Sequence, residues 1–187
     1  MKEGRGASLT PIGKGRLECL FDGIYAIAMT ILVLDLKVPD LVDPHSSAEL
    51  GAALLRNTTT ICSYLLSFFV LGNFWYRHNQ HFQHFQFITR RMLNLHFILL
   101  ATAGFFPFCT ALLGRYTQNG LSCAVYTGCI LIHASAGLRN WQAAWKAEAM
   151  TPETTVADYK RTLANLRHRF TIVAVIFVVT LYTAFFR

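Results

Sequence analysis

Long apolar stretches separated by short polar segments dominate this chain. A helix needs roughly 20 apolar residues to cross the hydrocarbon core of a bilayer, and five stretches come close to that length. The predicted spans are 17–36, 58–76, 92–114, 120–138 and 170–186. The pattern indicates an all-α integral membrane protein with one transmembrane helical domain over 16–187, preceded by a polar, basic arm over 1–15.

The charges of the connecting segments set the expected orientation, because cytoplasmic loops are enriched in Lys and Arg. The arm, the loop after the second span and the loop after the fourth span are basic, whereas the loop after the first span is acidic on balance. We therefore expect a cytoplasmic N-terminus, with Trp75, Trp141 and Trp145 in an aromatic belt at that face. The last residue then lies outside, and we expect a sixth span beyond it. A short amphipathic helix is expected to begin near Thr151.

Composition supports the membrane class. The chain is 53% hydrophobic and 14% charged, whereas soluble domains average about 25% charged residues. The net charge of +7 is explained by the positive-inside bias, so we expect no nucleic acid partner. The five cysteines form no CxxC pair, which argues against a zinc site or a disulfide framework.

On a helical wheel, the first span has an apolar face, and its acidic residue lies on a different face. An apolar stripe falls within roughly 80° of arc and consists of Leu20, Gly23, Ile27, Ile31 and Leu34. Asp22 lies about 140° from Ile27, and we expect it to turn toward the helix bundle. Two interpretations of the stripe stay open: contact with lipid or another helix, and a hydrophobic constriction.

In the constriction interpretation, symmetry-related copies of the first span bring rings of Ile27, Ile31 and Leu34 to a common axis. Such rings exclude water when narrow and admit ions when they widen. Thr30 would place hydroxyls between the apolar rings, and Asp35 would concentrate cations near the outer mouth.

An acid inside a span usually has polar partners, because an isolated charge there costs about 2.5–3.5 kcal/mol at the helix centre. We predict a structural network around Asp22 from groups at the same membrane level, namely Arg16, Trp75, His78, Asn94 and His96. In the alternative interpretation, several of these groups reach interfacial water.

Three histidines, His78, His81 and His84, resemble a metal-binding box. A spacing of three places them on a drifting helical stripe rather than on one tight face, so no metal site and no cofactor is expected. A His-dependent membrane metalloenzyme is nevertheless an alternative function, and a proton or organic-cation transporter is another. Ligation of a haem by His96 and His133 is a separate alternative. The chain has no GxSxG motif and no Gly-rich phosphate loop, so we expect a protein that is not an enzyme. It also has no TVGYG motif, so we expect no ordinary tetrameric potassium-channel filter.

The first span resembles that of bacterial homologues of transmembrane protein 175, prokaryotic relatives of the lysosomal potassium channel. The matching residues there are Arg16, Leu20, Phe21, Asp22, Gly23, Ala26, Ile27, Ala28, Leu32, Val33, Leu34 and Asp35. Trp75 and His78 at the end of the second span, and Asn94 at the start of the third, also look like that family.

The resemblance implies six helices per subunit, a homotetramer in the plasma membrane of a prokaryote, and a potassium-conducting pore lined by the first helix. It maps the family's constriction onto Ile27, Ile31 and Leu34 and its pore hydroxyl onto Thr30. The chain departs from the family in one respect: Leu20 and Phe21 stand where the family usually has Phe-Ser. The serine hydroxyl of the family's network is therefore absent.

Overall fold

The computed structural model describes residues 13–186, and six α-helices account for most of this part of the chain. The helices are α1 (Lys14–Ile31), continued by a 3-10 turn (Leu32–Asp35), α2 (Ser47–Arg56), α3 (Thr58–Gln83), α4 (Arg90–Arg115), α5 (Gly120–Lys146) and α6 (Val156–Phe186). Among the described residues there is no β-strand, only an isolated antiparallel bridge between Phe85 and Met150. Most of the predicted arm, residues 1–12, lies outside the described residues.

Four segments are each long and apolar enough to cross a membrane: α1 with its 3-10 turn, α4, α5 and α6. Helices α2 and α3 qualify only as a pair, as one candidate span bent by 56°. The bend lies at Asn57, between the two helices. The all-helical prediction is confirmed. The described residues contain four or five candidate spans, compared with the five that were predicted.

The loop before the last span is shorter than predicted. No separate helix begins near Thr151; instead α6 starts at Val156 and runs without a break to Phe186. Its start is fixed by a capping box, in which the Asp158 N–H donates to Thr155 Oγ1 (3.2 Å) and the Thr155 N–H donates to Asp158 Oδ2 (3.1 Å). Helix α6 therefore also includes the basic residues before the apolar run, which hydropathy alone leaves outside the predicted span.

One end of the molecule is closed by contacts between segments that are distant in sequence. The ammonium group of Lys14, at the start of α1, donates to the Phe85 carbonyl in the α3–α4 loop (2.8 Å). The Gln86 N–H in the same loop donates to the Ala149 carbonyl in the α5–α6 loop (2.8 Å). The three basic segments that the charge pattern assigned to one face of the membrane thus meet at one end of the subunit.

Helix α4 is the centre of the bundle and packs against α1, α3 and α5, whereas α6 packs against α5 at the outer edge. Side chains of α3 reach α5 at a few points, for example where Phe74 stacks on His133, and a gap remains between α3, α5 and α6. Trp141 lies beside this gap and is only 1% exposed. The expected belt position of Trp141 is therefore wrong: its ring is part of the core and its indole N–H donates to the Tyr159 carbonyl (3.3 Å).

Candidate functional site

The face of α1 that packs inside the subunit carries buried side chains three or four residues apart. Its buried residues are Leu17, Phe21, Tyr25, Ala28 and Leu32. Residues three and four apart lie on the same side of a helix, so these five form one continuous strip. The strip packs against α3 and α4 and fixes the rotation of α1 about its own axis.

The stripe predicted to line a pore lies on a different face of α1, which residues 13–186 leave largely uncovered. Ile27 is 58% exposed, Ile31 is 42% exposed and Leu34 is 71% exposed. Leu34 belongs to the 3-10 turn, where residues three apart eclipse one another, so it lies in line with Ile31. The turn therefore keeps the stripe straight at its far end.

Thr30 lies beside the stripe and is exposed. Its hydroxyl donates to the carbonyls of Ala26 (3.0 Å) and Ile27 (2.9 Å). Because the proton is shared between carbonyls of the helix itself, the lone pairs of the hydroxyl oxygen stay available to a cation. Asp35 is exposed at the end of the 3-10 turn. Both residues are accessible on the same helix as the stripe.

Asp22 has one hydrogen-bond partner among the described residues. The indole N–H of Trp75, on α3, donates to Asp22 Oδ1 at 2.8 Å. Both side chains are exposed. The hydrogen bond therefore ties α1 to α3 at the surface of the bundle rather than in its interior.

The predicted network around Asp22 is reduced to this single bond. Arg16 and Asn94 are exposed, and neither side chain makes a hydrogen bond or an ion pair within the described part of the chain. The physical reason is the position of Asp22, about 100° around the helix from the middle of the buried face. Asp22 thus meets its predicted partner Trp75 at the surface of the bundle, and no hydrogen bond joins it to the other predicted partners among residues 13–186.

His78 makes a different contact from the one predicted. It is only 8% exposed, and its ring stacks on Phe21 with 3.5 Å between the ring centroids and 2° between the planes. It also meets His96 edge to face at 5.4 Å. His78 Nε2 is buried and has no hydrogen-bond partner among the described residues. His78 thus joins α3 to α1 through packing, with one polar atom left unpaired.

A buried hydrogen-bonded chain that the sequence did not reveal connects α1, α5 and α4. The Thr102 hydroxyl donates to the Leu99 carbonyl (2.8 Å), so its oxygen accepts from His133 Nδ1 (2.8 Å). With the proton on Nδ1, His133 Nε2 accepts from the Tyr25 hydroxyl (3.4 Å). Phe74 stacks on the same imidazole with 4.0 Å between the centroids. Tyr25 is therefore the polar anchor of the inward face of α1.

A second buried pair joins α4 to α5. His96 Nδ1 lies 2.7 Å from the Met92 carbonyl, an acceptor, so Nδ1 carries the proton and Nε2 accepts from Asn140 Nδ2 (3.1 Å). This assignment leaves Asn140 Oδ1 buried with no partner in the described residues. Asn140 followed a long apolar run in the sequence, and no spacing marked it as a partner of His96.

The three histidines of the apparent metal box have three different surroundings. His78 stacks on Phe21, His81 lies 5.2 Å from the Trp141 ring, and His84 Nδ1 is 3.0 Å from Thr154 Oγ1. In residues 13–186 no group of three or more His, Cys, Asp or Glu side chains is arranged to hold a metal ion. His78 and His81 belong to α3, whereas His84 is its C-cap residue, so the three rings do not share one helical stripe.

Comparison with known proteins gives one consistent family. The model of the endosomal/lysosomal potassium channel TMEM175 family matches residues 16–107. A potassium channel of Streptomyces collinus is 33% identical over 135 residues, an alignment that covers 70% of this chain and 62% of that protein. A potassium channel of Chamaesiphon minutus is 32% identical over 142 residues, covering 73% of this chain and 68% of that protein. The chain therefore spans less than two thirds of the Streptomyces relative.

A solved structure is also similar. The crystal structure of a lysosomal potassium-selective channel TMEM175 homologue from Chamaesiphon minutus superimposes with a TM-score of 0.78 and 27% sequence identity. The match covers 90% of this chain and 86% of that one. The fold similarity thus extends well beyond residues 16–107.

Proposed function

Because this chain belongs to the endosomal/lysosomal potassium channel TMEM175 family, we propose that it forms a potassium-permeable channel from several copies of the subunit. The proposed assembly is a homotetramer in the plasma membrane of a prokaryote, with the N-terminus in the cytoplasm. Potassium is the permeant ion, and the proposal requires no cofactor and no catalytic residue.

The observation that carries this proposal is the uncovered apolar stripe of α1. Ile27, Ile31 and Leu34 are exposed on a helix whose rotation is fixed by its buried face. A single helix cannot enclose a pore, whereas α1 helices around a symmetry axis can. In that arrangement the three residues form successive apolar rings, and one subunit contributes one side chain to each ring.

Conduction through such rings depends on water. An apolar constriction empties when it is narrow and therefore blocks hydrated ions, and it conducts when it widens and fills. Thr30 would supply an oxygen between the rings, where an ion has lost part of its water. Asp35 would place a carboxylate near the outer mouth, where negative charge raises the local cation concentration.

The proposal is tested by making the constriction polar. In liposomes that contain the purified protein, Ile27→Asn should raise potassium flux several-fold, because an amide ring favours wetting of the constriction. Ile176→Asn is the matched control, since Ile176 is an exposed isoleucine on α6, far from the stripe in sequence. The control should leave potassium flux within about twofold of the wild-type value.

Unchanged or lower flux in Ile27→Asn, with the oligomer intact by size-exclusion chromatography, contradicts the pore assignment. A flux increase of equal size in Ile176→Asn would point to a leaky membrane instead. Reversal potentials under opposed potassium and proton gradients separate passive potassium flux from proton conduction and from coupled transport.

A further inference from the structure

A cavity lies between α3, α5 and α6, at the end of the subunit where the basic loops meet. Its volume is about 250 Å³, and apolar residues make up most of its wall, including Phe74, Ile130 and Val173. A second cavity of about 410 Å³ adjoins it and is lined mainly by polar side chains. Four residues line both spaces: Arg77, His81, Leu166 and Arg169. The two cavities therefore form one amphipathic groove.

The groove has positive charge without matching negative charge. Two guanidinium groups line it, and the residues described as lining either cavity include no Asp or Glu. Arg77 Nε donates to Asn73 Oδ1 at 2.6 Å, which holds the side chain and leaves its terminal amino groups for another partner. Arg169 makes no hydrogen bond or ion pair within residues 13–186. The positive charge of this lining therefore favours a negatively charged ligand.

Two buried polar atoms also lack partners at the wall of the inner cavity. They are His78 Nε2 and Asn140 Oδ1, on side chains that are 8% and 4% exposed. Leaving such an atom unpaired costs about 1–3 kcal/mol, so a polar occupant or bound water is expected there. Since the Asn140 Nδ2 already donates to His96, the remaining oxygen requires a hydroxyl or N–H donor.

The chemistry of the groove, rather than its size, narrows the choice of occupant. The inner cavity of about 250 Å³ and the adjoining cavity of about 410 Å³ together fall within the roughly 300–1,000 Å³ of a typical small-molecule pocket. A molecule with an anionic head and a long apolar part can place its head and the first part of a chain there and leave the rest in the bilayer. Basic pockets between transmembrane helices on the cytoplasmic side are known to suit phospholipid head groups.

We propose that this groove binds an anionic phospholipid, with its phosphate held by Arg77 and Arg169 and an acyl chain along the apolar wall. A hydroxylated head group, such as that of phosphatidylglycerol, can in addition donate to a buried acceptor. The site lies on α3, α5 and α6, away from the exposed stripe of α1. The proposal therefore stands or falls independently of the pore.

The test measures lipid binding to the purified full-length protein by native mass spectrometry after delipidation in detergent. Dioleoylphosphatidylglycerol should bind more tightly than dioleoylphosphatidylcholine, which has no net charge. Arg77→Gln and Arg169→Gln should each weaken phosphatidylglycerol binding about fivefold, and the double variant about thirtyfold. Arg169 is exposed, so its substitution provides a test that does not endanger folding.

Arg167→Gln is the matched control, because Arg167 is an exposed arginine on the same helix that lines neither cavity. It should change the phosphatidylglycerol affinity less than twofold. Equal losses in the Arg167 and Arg169 variants, or equal binding of the two lipids, would overturn the proposal. Displacement of the lipid by inorganic phosphate at equal concentration would also overturn it, since the site would then bind a free anion rather than a lipid.

Discussion

The two faces of α1 have opposite chemistry although they share one short helix. The inward face combines aromatic rings with a polar anchor: Phe21 stacks on His78, and the Tyr25 hydroxyl lies against His133. The outward face is aliphatic and uncovered, with Ile27 and Leu34 more than half exposed. The first face makes hydrogen-bonded and ring contacts within the subunit, whereas Ile27, Ile31 and Leu34 of the second are 42–71% exposed in the part of the chain that the structure describes.

Because of this difference, we expect the two faces of α1 to affect different properties of the protein. Substitutions on the inward face should reduce the stability of the subunit, because they remove contacts that already exist within it. Substitutions on the outward face should leave the folded subunit nearly unchanged and act on whatever the face meets in an assembly. Four measurements test this difference between the two faces of α1, from the largest expected effect on stability to the smallest.

The largest effect is expected for Phe21→Ala. Phe21 is 1% exposed and stacked on His78, and truncating a buried Phe typically costs about 3–5 kcal/mol. The thermal unfolding midpoint in detergent, followed by intrinsic fluorescence, should fall by about 10 °C or more. The neighbouring Leu20→Ala is the control, because Leu20 is 42% exposed and should shift the midpoint by only a few degrees. Equal shifts for the two variants would contradict the assignment of the inward face.

A smaller effect is expected for Tyr25→Phe, which keeps the ring and removes only the hydroxyl. The loss of the donor leaves His133 Nε2 buried without its partner, at a cost of about 1 kcal/mol. The control is Tyr64→Phe, since the Tyr64 hydroxyl makes no hydrogen bond within the described residues. Chemical unfolding of the two variants compares them directly. If Tyr25→Phe is as stable as the wild type, the 3.4 Å contact contributes packing rather than a hydrogen bond.

The sequence was sufficient to predict features that depend on local periodicity. The apolar runs located every helix except α2 (Ser47–Arg56), and the wheel placed Asp22 away from the Ile27 stripe. The Trp75 N–H was identified as a donor to Asp22 because the two residues lie at one membrane level. These features need only a helix, its rise per residue and the order of the spans.

Features that depend on how helices pack could not be predicted from the same information. The contact of Tyr25 with His133 requires the rotation of α5 relative to α1, and periodicity within one helix does not define that rotation. Asn140 was missed for the same reason. The start of α6 was missed because its first turns are charged, and hydropathy identifies the buried part of a helix rather than the whole helix.

The surface bond between Asp22 and Trp75 should contribute less than either inward contact. A double-mutant cycle with Asp22→Ala and Trp75→Phe should give a coupling energy of about 0.5–1 kcal/mol, because the bond is exposed and competes with solvent. Asp22→Ala combined with Trp145→Phe is the control cycle, since Trp145 stacks on Tyr159 instead. Its coupling energy should be close to zero. Coupling above about 2 kcal/mol in the first cycle would mean that an assembly buries this pair.

The smallest effect on stability is expected for Thr30→Val, which exchanges a hydroxyl for a methyl group at nearly constant volume. The Thr30 hydroxyl bonds only to carbonyls of its own helix, so the unfolding free energy should stay within about 0.5 kcal/mol of the wild-type value. If Thr30 lines the pore, the loss of its oxygen should lower the potassium-to-sodium permeability ratio about twofold or more, as read from bi-ionic reversal potentials.

Thr171→Val is the matched control for this measurement, because Thr171 is an exposed threonine on α6 whose hydroxyl donates to the Arg167 carbonyl (3.0 Å) in the same way. Both variants should therefore unfold alike, and only Thr30→Val should change the permeability ratio. A ratio that stays constant in Thr30→Val, or that falls equally in both variants, would remove Thr30 from the permeation path. The outward face of α1 would then have to act through its apolar rings alone.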